Sequence, residues 1–159
     1  MKELRIGQGI DLHRFMAGRK LFLGGVFIPG ESGLEGHSDA DVLLHALCDA
    51  LLGAAGLPDI GNIFPNTEKR WENASSITFL EEVKGRISRL GWRVNNIDCS
   101  IVAEKPKIAP YISQMKEVIA DKLQIDQSQC GIKATTPEGL GALGRGEGIM
   151  AFATVLLTK

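Results

Sequence analysis

All three histidines of the 159-residue chain, His13, His37 and His45, lie in its first third, interleaved with Asp11, Asp39, Asp41 and Asp49. Imidazoles and carboxylates in one region are the donor types of a divalent-metal site, and three protein ligands with an open fourth position make a catalytic zinc arrangement. Spacing narrows the choice. Asp11 and His13 stand two apart in an alternating segment, so both side chains point the same way from a strand, about 7 Å apart along it. Asp41, His45 and Asp49 recur every four residues and form one polar stripe on an otherwise apolar helix of Val42, Leu43, Leu44, Leu47, Leu51 and Leu52. If that stripe meets the end of the strand, Asp11, His13 and His45 supply two imidazoles and one carboxylate. A wet face for an apolar helix explains the stripe equally well without a metal; the conjunction of strand pair and helical His is what favours one. His37 precedes Ser38, a candidate helix N-cap where amides would welcome a phosphate; an exposed loop histidine, the commoner case for a single His, is the alternative.

A second candidate lies at residues 133–148, Lys-Ala-Thr-Thr-Pro-Glu-Gly-Leu-Gly-Ala-Leu-Gly-Arg-Gly-Glu-Gly. It lacks the Gly-Lys-Ser/Thr of a P-loop and the strand-first context of a dinucleotide fingerprint. The amides and hydroxyls of Thr135 and Thr136 could hold a diphosphate and Glu138 a magnesium ion on it. The alternative is a capping box of Thr135 with Glu138 on a short turn, Pro137 taking the first helical position. Arg145, between glycines, reaches an anion or is simply solvated. A third segment, Ala103 to Pro110, carries two lysines and two prolines that stiffen it for recognition of a base or for a phosphate contact through Lys107; a plain strand-to-helix connection is the alternative.

The elements that must position these groups follow from periodicity. Leu4 to His13 alternates as a strand, with Leu4, Ile6, Ile10 and Leu12 on one face. Leu21 to Ile28 reads as a second strand, and an apolar helix starts at the N-cap Ser38, with Asp41 three residues on, and ends near Ala54. An irregular stretch precedes an amphipathic helix from Ser76 to Leu90. Ile97 to Ala103 reads as a strand, Pro110 opens a helix with Met115, Ile119 and Leu123 inward, and Cys130 to Ala134 and Ile149 to Leu157 are the last strands. The order ββααβαββ predicts one α+β domain over 1–159, a two-layer α/β arrangement of the ferredoxin-like type. About four main strands form its mixed sheet, with helices on one face.

Composition bounds the partners. Eighteen basic and nineteen acidic residues leave a net charge of −1, so nucleic acid and anionic membranes gain no general attraction and any anion must be held locally. With 44% hydrophobic and 23% charged residues the chain is globular, neither disordered nor fibrous. No apolar run reaches the ~18 residues of a membrane span, and the start lacks the apolar stretch of a signal peptide, so a cytoplasmic protein is expected. Cys48, Cys99 and Cys130 are odd in number and sit in apolar patterns, which argues against a disulfide framework.

Taken together, Asp11-Leu-His13, His37-Ser-Asp-Ala-Asp-Val42 with His45, Pro58-Asp-Ile-Gly61 with Phe64-Pro65, Pro106-Lys107, and Thr135-Thr-Pro-Glu138 with Gly144-Arg-Gly-Glu-Gly148 occur in the order and spacing of one enzyme family. Over essentially its full length the sequence resembles the 2-C-methyl-D-erythritol 2,4-cyclodiphosphate synthases of non-mevalonate isoprenoid biosynthesis. The resemblance implies a homotrimer with active sites between subunits and a central cavity able to take a prenyl diphosphate. It implies one Zn²⁺ per subunit on Asp11, His13 and His45, and Mg²⁺ or Mn²⁺ held on the substrate diphosphate by Glu138. His37 and Thr136 match positions credited with transition-state stabilisation. Leu12 falls within the substrate region with Asp11 and His13, and His37 with Ser38 matches a phosphate contact. Asp59, Ile60 and Gly61, with Phe64, Pro65, Asn66, Thr67 and Glu68, match the methylerythritol region. Ala103, Glu104, Lys105, Pro106, Lys107, Ile108 and Ala109, with Ala134, Thr135 and Thr136, match the cytidine and phosphate pocket. Pro137, Ala142 and Arg145 complete the substrate positions, Arg145 also lining the central cavity.

The reaction implied is attack by the 2-phosphate of 4-diphosphocytidyl-2-C-methyl-D-erythritol 2-phosphate on the β-phosphorus, with loss of CMP. An anionic nucleophile and a phosphate leaving group need positive charge and alignment rather than a strong base, in keeping with the absence of a Ser-His-Asp arrangement. Three positions depart from the family pattern: Ala40 stands for a common Gly, Asn66 for a common Asp, and Pro137 for a variable residue. Two other readings remain from the residues alone. One is a metal-dependent nucleotide phosphohydrolase; the other is a zinc-stabilised binding module with Cys48 as fourth ligand.

Overall fold

A computed structural model describes residues 3–159. In chain order the strands and helices are β1 (Leu4–Met16), β2 (Leu21–Leu23), β3 (Val26–Ile28), β4 (Gly33–Leu34), α1 (Val42–Ala55), α2 (Ile60–Ile63), α3 (Ser76–Arg89), β5 (Arg93–Val102), α4 (Ile112–Leu123), β6 (Cys130–Thr135), α5 (Gly141–Gly144) and β7 (Gly148–Thr158). A five-stranded sheet runs β4-β1-β7-β5-β6, with β5 and β6 parallel and the other pairs antiparallel. The sheet is mixed and the class α+β, as expected, and the arrangement is compatible with the ferredoxin-like type.

The first strand shows how the layers meet. Its inner face begins with Gly7 and Gly9, and a Cβ on either would lie 1.9 Å from a backbone oxygen of α1, that of Ala50 or Ala46. The helix therefore packs with its backbone almost on the strand, which only glycine permits. Further along the same face come Asp11 and His13. The alternating apolar residues are on the outside instead: Leu4, Ile6, Ile10 and Leu12 are 51–74% exposed. Ala151, Ala153, Val155 and Leu157 of β7 and Ile97, Cys99 and Ile101 of β5 continue the buried inner face. α3 and α4 cover the rest with Phe79, Leu80, Val83 and Ile87, and with Met115, Ile119 and Leu123. Leu90, the expected last residue of that amphipathic helix, falls just past α3 and is 46% exposed.

Three local expectations are corrected. The segment 21–28 is not one strand but a hairpin of β2 and β3, because Gly24 and Gly25 both take positive φ (59° and 76°) and turn the chain back. The N-cap of α1 is Asp41, not Ser38: its carboxylate accepts from Leu44 N (3.0 Å) and also from Gly24 N and Gly25 N of the hairpin. The polar stripe is a wet face only in part: Asp41 is wholly buried, whereas the three residues of α1 that are not buried, His45, Asp49 and Gly53, lie along it. The irregular stretch before α3 also holds a turn of helix, α2, capped by Asp59.

Candidate functional site

Asp11 and His13 reach from the inner face of β1 toward the first turn of α1, where His45 meets them. Asp11 Oδ2 lies 2.8 Å from His13 Nε2 and 3.1 Å from His45 Nδ1, and the two nitrogens are 3.3 Å apart. The other two members of the stripe do different work. Asp41 joins α1 to the β2–β3 hairpin, and Asp49 accepts from Ile60 N (2.8 Å), fixing the start of α2.

This donor set fits a divalent ion. A tetrahedral zinc with bonds of ~2.0–2.1 Å separates its ligand atoms by about 3.3 Å, close to the spacing of the triangle. His13 Nδ1 donates to the Glu35 carbonyl at 2.6 Å, and a carbonyl can only accept, so the neutral ring presents a lone pair at Nε2. Burial pushes the Asp11 carboxyl up, but hydrogen bonds and charge from His13 and His45 outweigh it and hold it well below the usual carboxylate range. Burial alone would depress His13, whereas the Asp11 carboxylate and the Glu35 carbonyl raise it above its ordinary 6.5. Positive charge is favoured at this point.

A proton and a metal therefore compete for His13. Metal affinity should weaken as pH falls through the raised value of His13, beginning above 6.5. In the metal-free protein the sign is opposite: the stability contributed by protonated His13 is present below 6.5 and lost as pH rises through the folded value. Zinc affinity by chelator competition and denaturation midpoints across that range check both directions.

Beside the triangle opens a cleft of about 270 Å³, lined by His13, His45, Gly36, His37, Ser38, Ile60, Gly61, Phe64, Asn66, Trp71 and Phe79. Phe64 stacks on Phe79 with centroids 4.5 Å apart, and Trp71 meets Phe64 edge-on at 5.1 Å, giving a rigid apolar wall. His37 Nε2 donates to the Glu68 carbonyl at 3.2 Å. Leu12 points outward and is 55% exposed, and Asp59 faces a separate recess with Gly9 and Asp49. Pro65 and Thr67 do not line the cleft, and Glu68 contributes its carbonyl to His37. Sequence reasoning missed Arg19, whose guanidinium donates to the Gly36 and Ser38 carbonyls and holds the His37 loop. It also missed Trp71 and Phe79, which carry no motif. Ala40 takes φ 56°, a left-handed backbone that costs a residue with a Cβ roughly 1–2 kcal/mol; Asp39 and Asp41, both hydrogen-bonded, pin it from either side.

A second cleft of about 360 Å³ is lined by Ala103, Glu104, Pro106, Lys107, Ile108, Ala109, Ala134, Thr135 and Thr136. The parallel pairing of Val102 with Thr135 places the two loops side by side, and Gly139 N donates to Glu104 Oε2 (3.1 Å) across them. Lys105 lies outside the lining. The capping-box alternative is overturned: the Thr136 hydroxyl, not Thr135, pairs with Glu138 (3.1 Å), Glu138 takes φ 54°, and Pro137 stands in a turn rather than at a helix start. Glu138 is exposed, Ala142 lies on α5, and Arg145 pairs with Glu147 at 2.7 Å. β7 and β5 stand between β1 and β6, which puts the triangle and this cleft about three strand spacings, roughly 14 Å, apart within one chain. The clefts share no residue.

The YgbB family model matches residues 4–158. A relative from Syntrophomonas wolfei, named 2-C-methyl-D-erythritol 2,4-cyclodiphosphate synthase, is 54% identical over 156 residues, covering 98% of this chain and 99% of its own. The bifunctional IspDF of Campylobacter jejuni superposes with a TM-score of 0.95 at 40% identity; the match takes in 99% of this chain and 43% of that longer one. A Plasmodium falciparum IspF solved in complex with CDP gives a TM-score of 0.85 at 35% identity, over 97% of this chain and 95% of that one.

Proposed function

The chain belongs to the YgbB family, and from that membership we propose that it closes a cyclic diphosphate. It is an enzyme of isoprenoid biosynthesis that converts 4-diphosphocytidyl-2-C-methyl-D-erythritol 2-phosphate to 2-C-methyl-D-erythritol 2,4-cyclodiphosphate and CMP. One observation carries the reading beyond the family name: Asp11, His13 and His45 converge beside a largely apolar cleft with room for a branched four-carbon polyol.

When bound, zinc on Asp11, His13 and His45 and magnesium on Glu138 would supply Lewis acidity to the phosphate oxygens. Imidazole donors suit the first; the lone Glu138 carboxylate suits the second once substrate oxygens complete its shell. The remaining work is binding and alignment. Phe64, Trp71, Phe79 and Ile60 surround the methylerythritol chain and exclude water. His37 and the Ser38 amide face the 2-phosphate from the loop that Arg19 braces. Lys107, Thr135 and Thr136 hold the nucleotide end, Thr136 donating toward developing negative charge, with Arg145 as a further phosphate contact.

A homotrimer completes the site. The two clefts of one chain do not meet, and the uncovered apolar face of β1 is what a subunit contact would bury. Packing these faces around an axis would set the metal end of one copy against the nucleotide end of the next. No helix among the described residues is long and apolar enough to cross a membrane, and a cytoplasmic location belongs to the same proposal.

Phosphorus NMR of the cytidylyl substrate with the protein, Zn²⁺ and Mg²⁺ tests the reaction. The cyclic diphosphate and CMP should appear together, and a linear diphosphate as product would overturn cyclisation in favour of hydrolysis.

A further inference from the structure

We infer that Asp39 and Ser76 are positioning residues for the metal centre, a carboxylate–hydroxyl relay that holds His45 in the one tautomer able to coordinate through Nδ1. The inference rests on the metal reading of Asp11, His13 and His45. A neutral imidazole carries one proton, so a lone pair on Nδ1 requires that proton on Nε2. His45 Nε2 faces the Ser76 hydroxyl at 2.9 Å and the Ser38 hydroxyl at 3.2 Å. A hydroxyl donates or accepts, so those contacts by themselves leave the tautomer open.

The Asp11 carboxylate, 3.1 Å from Nδ1, draws a proton to that side, and Asp39 opposes it from the other. The Asp39 Oδ1 accepts from the Ser76 hydroxyl, and its Oδ2 accepts from the Ser76 backbone N–H at 3.0 Å. With its proton committed, the Ser76 oxygen can only accept from His45 Nε2–H. Ser38 offers no such constraint, because its hydroxyl accepts from Ala40 N (3.1 Å) and its own proton remains free to turn. Ser76 is wholly buried at the start of α3, so bulk water cannot reset the arrangement. His13 needs no comparable device, since a backbone carbonyl already fixes its ring. Metal-binding histidines are commonly oriented by a carboxylate directly; here a hydroxyl is interposed, which lets one carboxylate also tie the start of α3 to the loop before α1.

A purely structural role for Asp39, as a brace for the start of α3, would account for its bond to the Ser76 backbone but not for the tautomer. Ser76→Ala separates the two, because the backbone N–H still reaches Asp39 while the hydroxyl is gone. Nitrogen NMR of the His45 ring in the metal-free protein, with both imidazoles neutral, should show a larger share of Nε2–H in the parent than in Ser76→Ala, where Asp11 acts unopposed and the proton moves to Nδ1. Zinc affinity by chelator competition should fall about 10–100-fold. A folded Ser76→Ala that keeps the parent's share of Nε2–H, or the parent's zinc affinity, overturns the relay. If the parent binds no zinc while Ser76→Ala still switches the tautomer, the relay stands and the metal reading fails.

Discussion

His45→Ala is expected to lose its zinc and to turn over the cytidylyl substrate about 10³-fold more slowly, while remaining folded. The fold should survive because alanine suits the first turn of a helix whose packing is mostly apolar and whose cap is Asp41. Activity should not, because removing one of three converging donors leaves Asp11 and His13 as a weak pair; several kcal/mol of charge stabilisation at the phosphate, roughly 4, corresponds to about three decades in rate. Metal content by elemental analysis and turnover by phosphorus NMR give the two readouts. Full turnover in a variant stripped by chelation would remove the metal from the mechanism.

The second large effect concerns the separation of the two clefts. His45→Ala damages the metal end and Glu138→Ala the nucleotide end, so each homogeneous variant should be nearly inactive. Assembled together in equal amounts, they should recover about one quarter of parental activity, since a site between two copies draws each half intact with a probability of about one half. Sites contained within one chain would recover nothing. Subunits should be mixed under conditions that dissociate and reassemble them, with total mass followed by light scattering. A mixture no more active than its components would refute the intersubunit site.

Periodicity made the metal donors legible. The two-residue spacing of Asp11 and His13 and the helical position of His45 brought three of the right donor types to one place, and the structure holds them within 4.8 Å. The same periodicity could not say which side of β1 is buried. Alternation sorts residues into faces, but burial followed Gly7 and Gly9, because the α1 backbone approaches too closely for any Cβ. The apolar residues of that strand were left outside. The hairpin at Gly24 and Gly25 was missed although two adjacent glycines are the mark of such a turn, and the cap of α1 moved to Asp41 because that carboxylate also satisfies the hairpin amides.

By itself, the chain order determined which chemistry was available: imidazoles, carboxylates and hydroxyls, grouped by strand and helix period, with almost no net charge to hold an anion otherwise. Those properties depend on near neighbours in the chain. Only the tertiary structure decided which groups each histidine nitrogen faces, which carboxylates cap helices, and that the two clefts of one chain stand apart. Each of those depends on partners far away in sequence, such as His45 with Asp11 across 34 residues or with Ser76 across 31. Their approach is set by packed layers, and no local pattern encodes the distance between them.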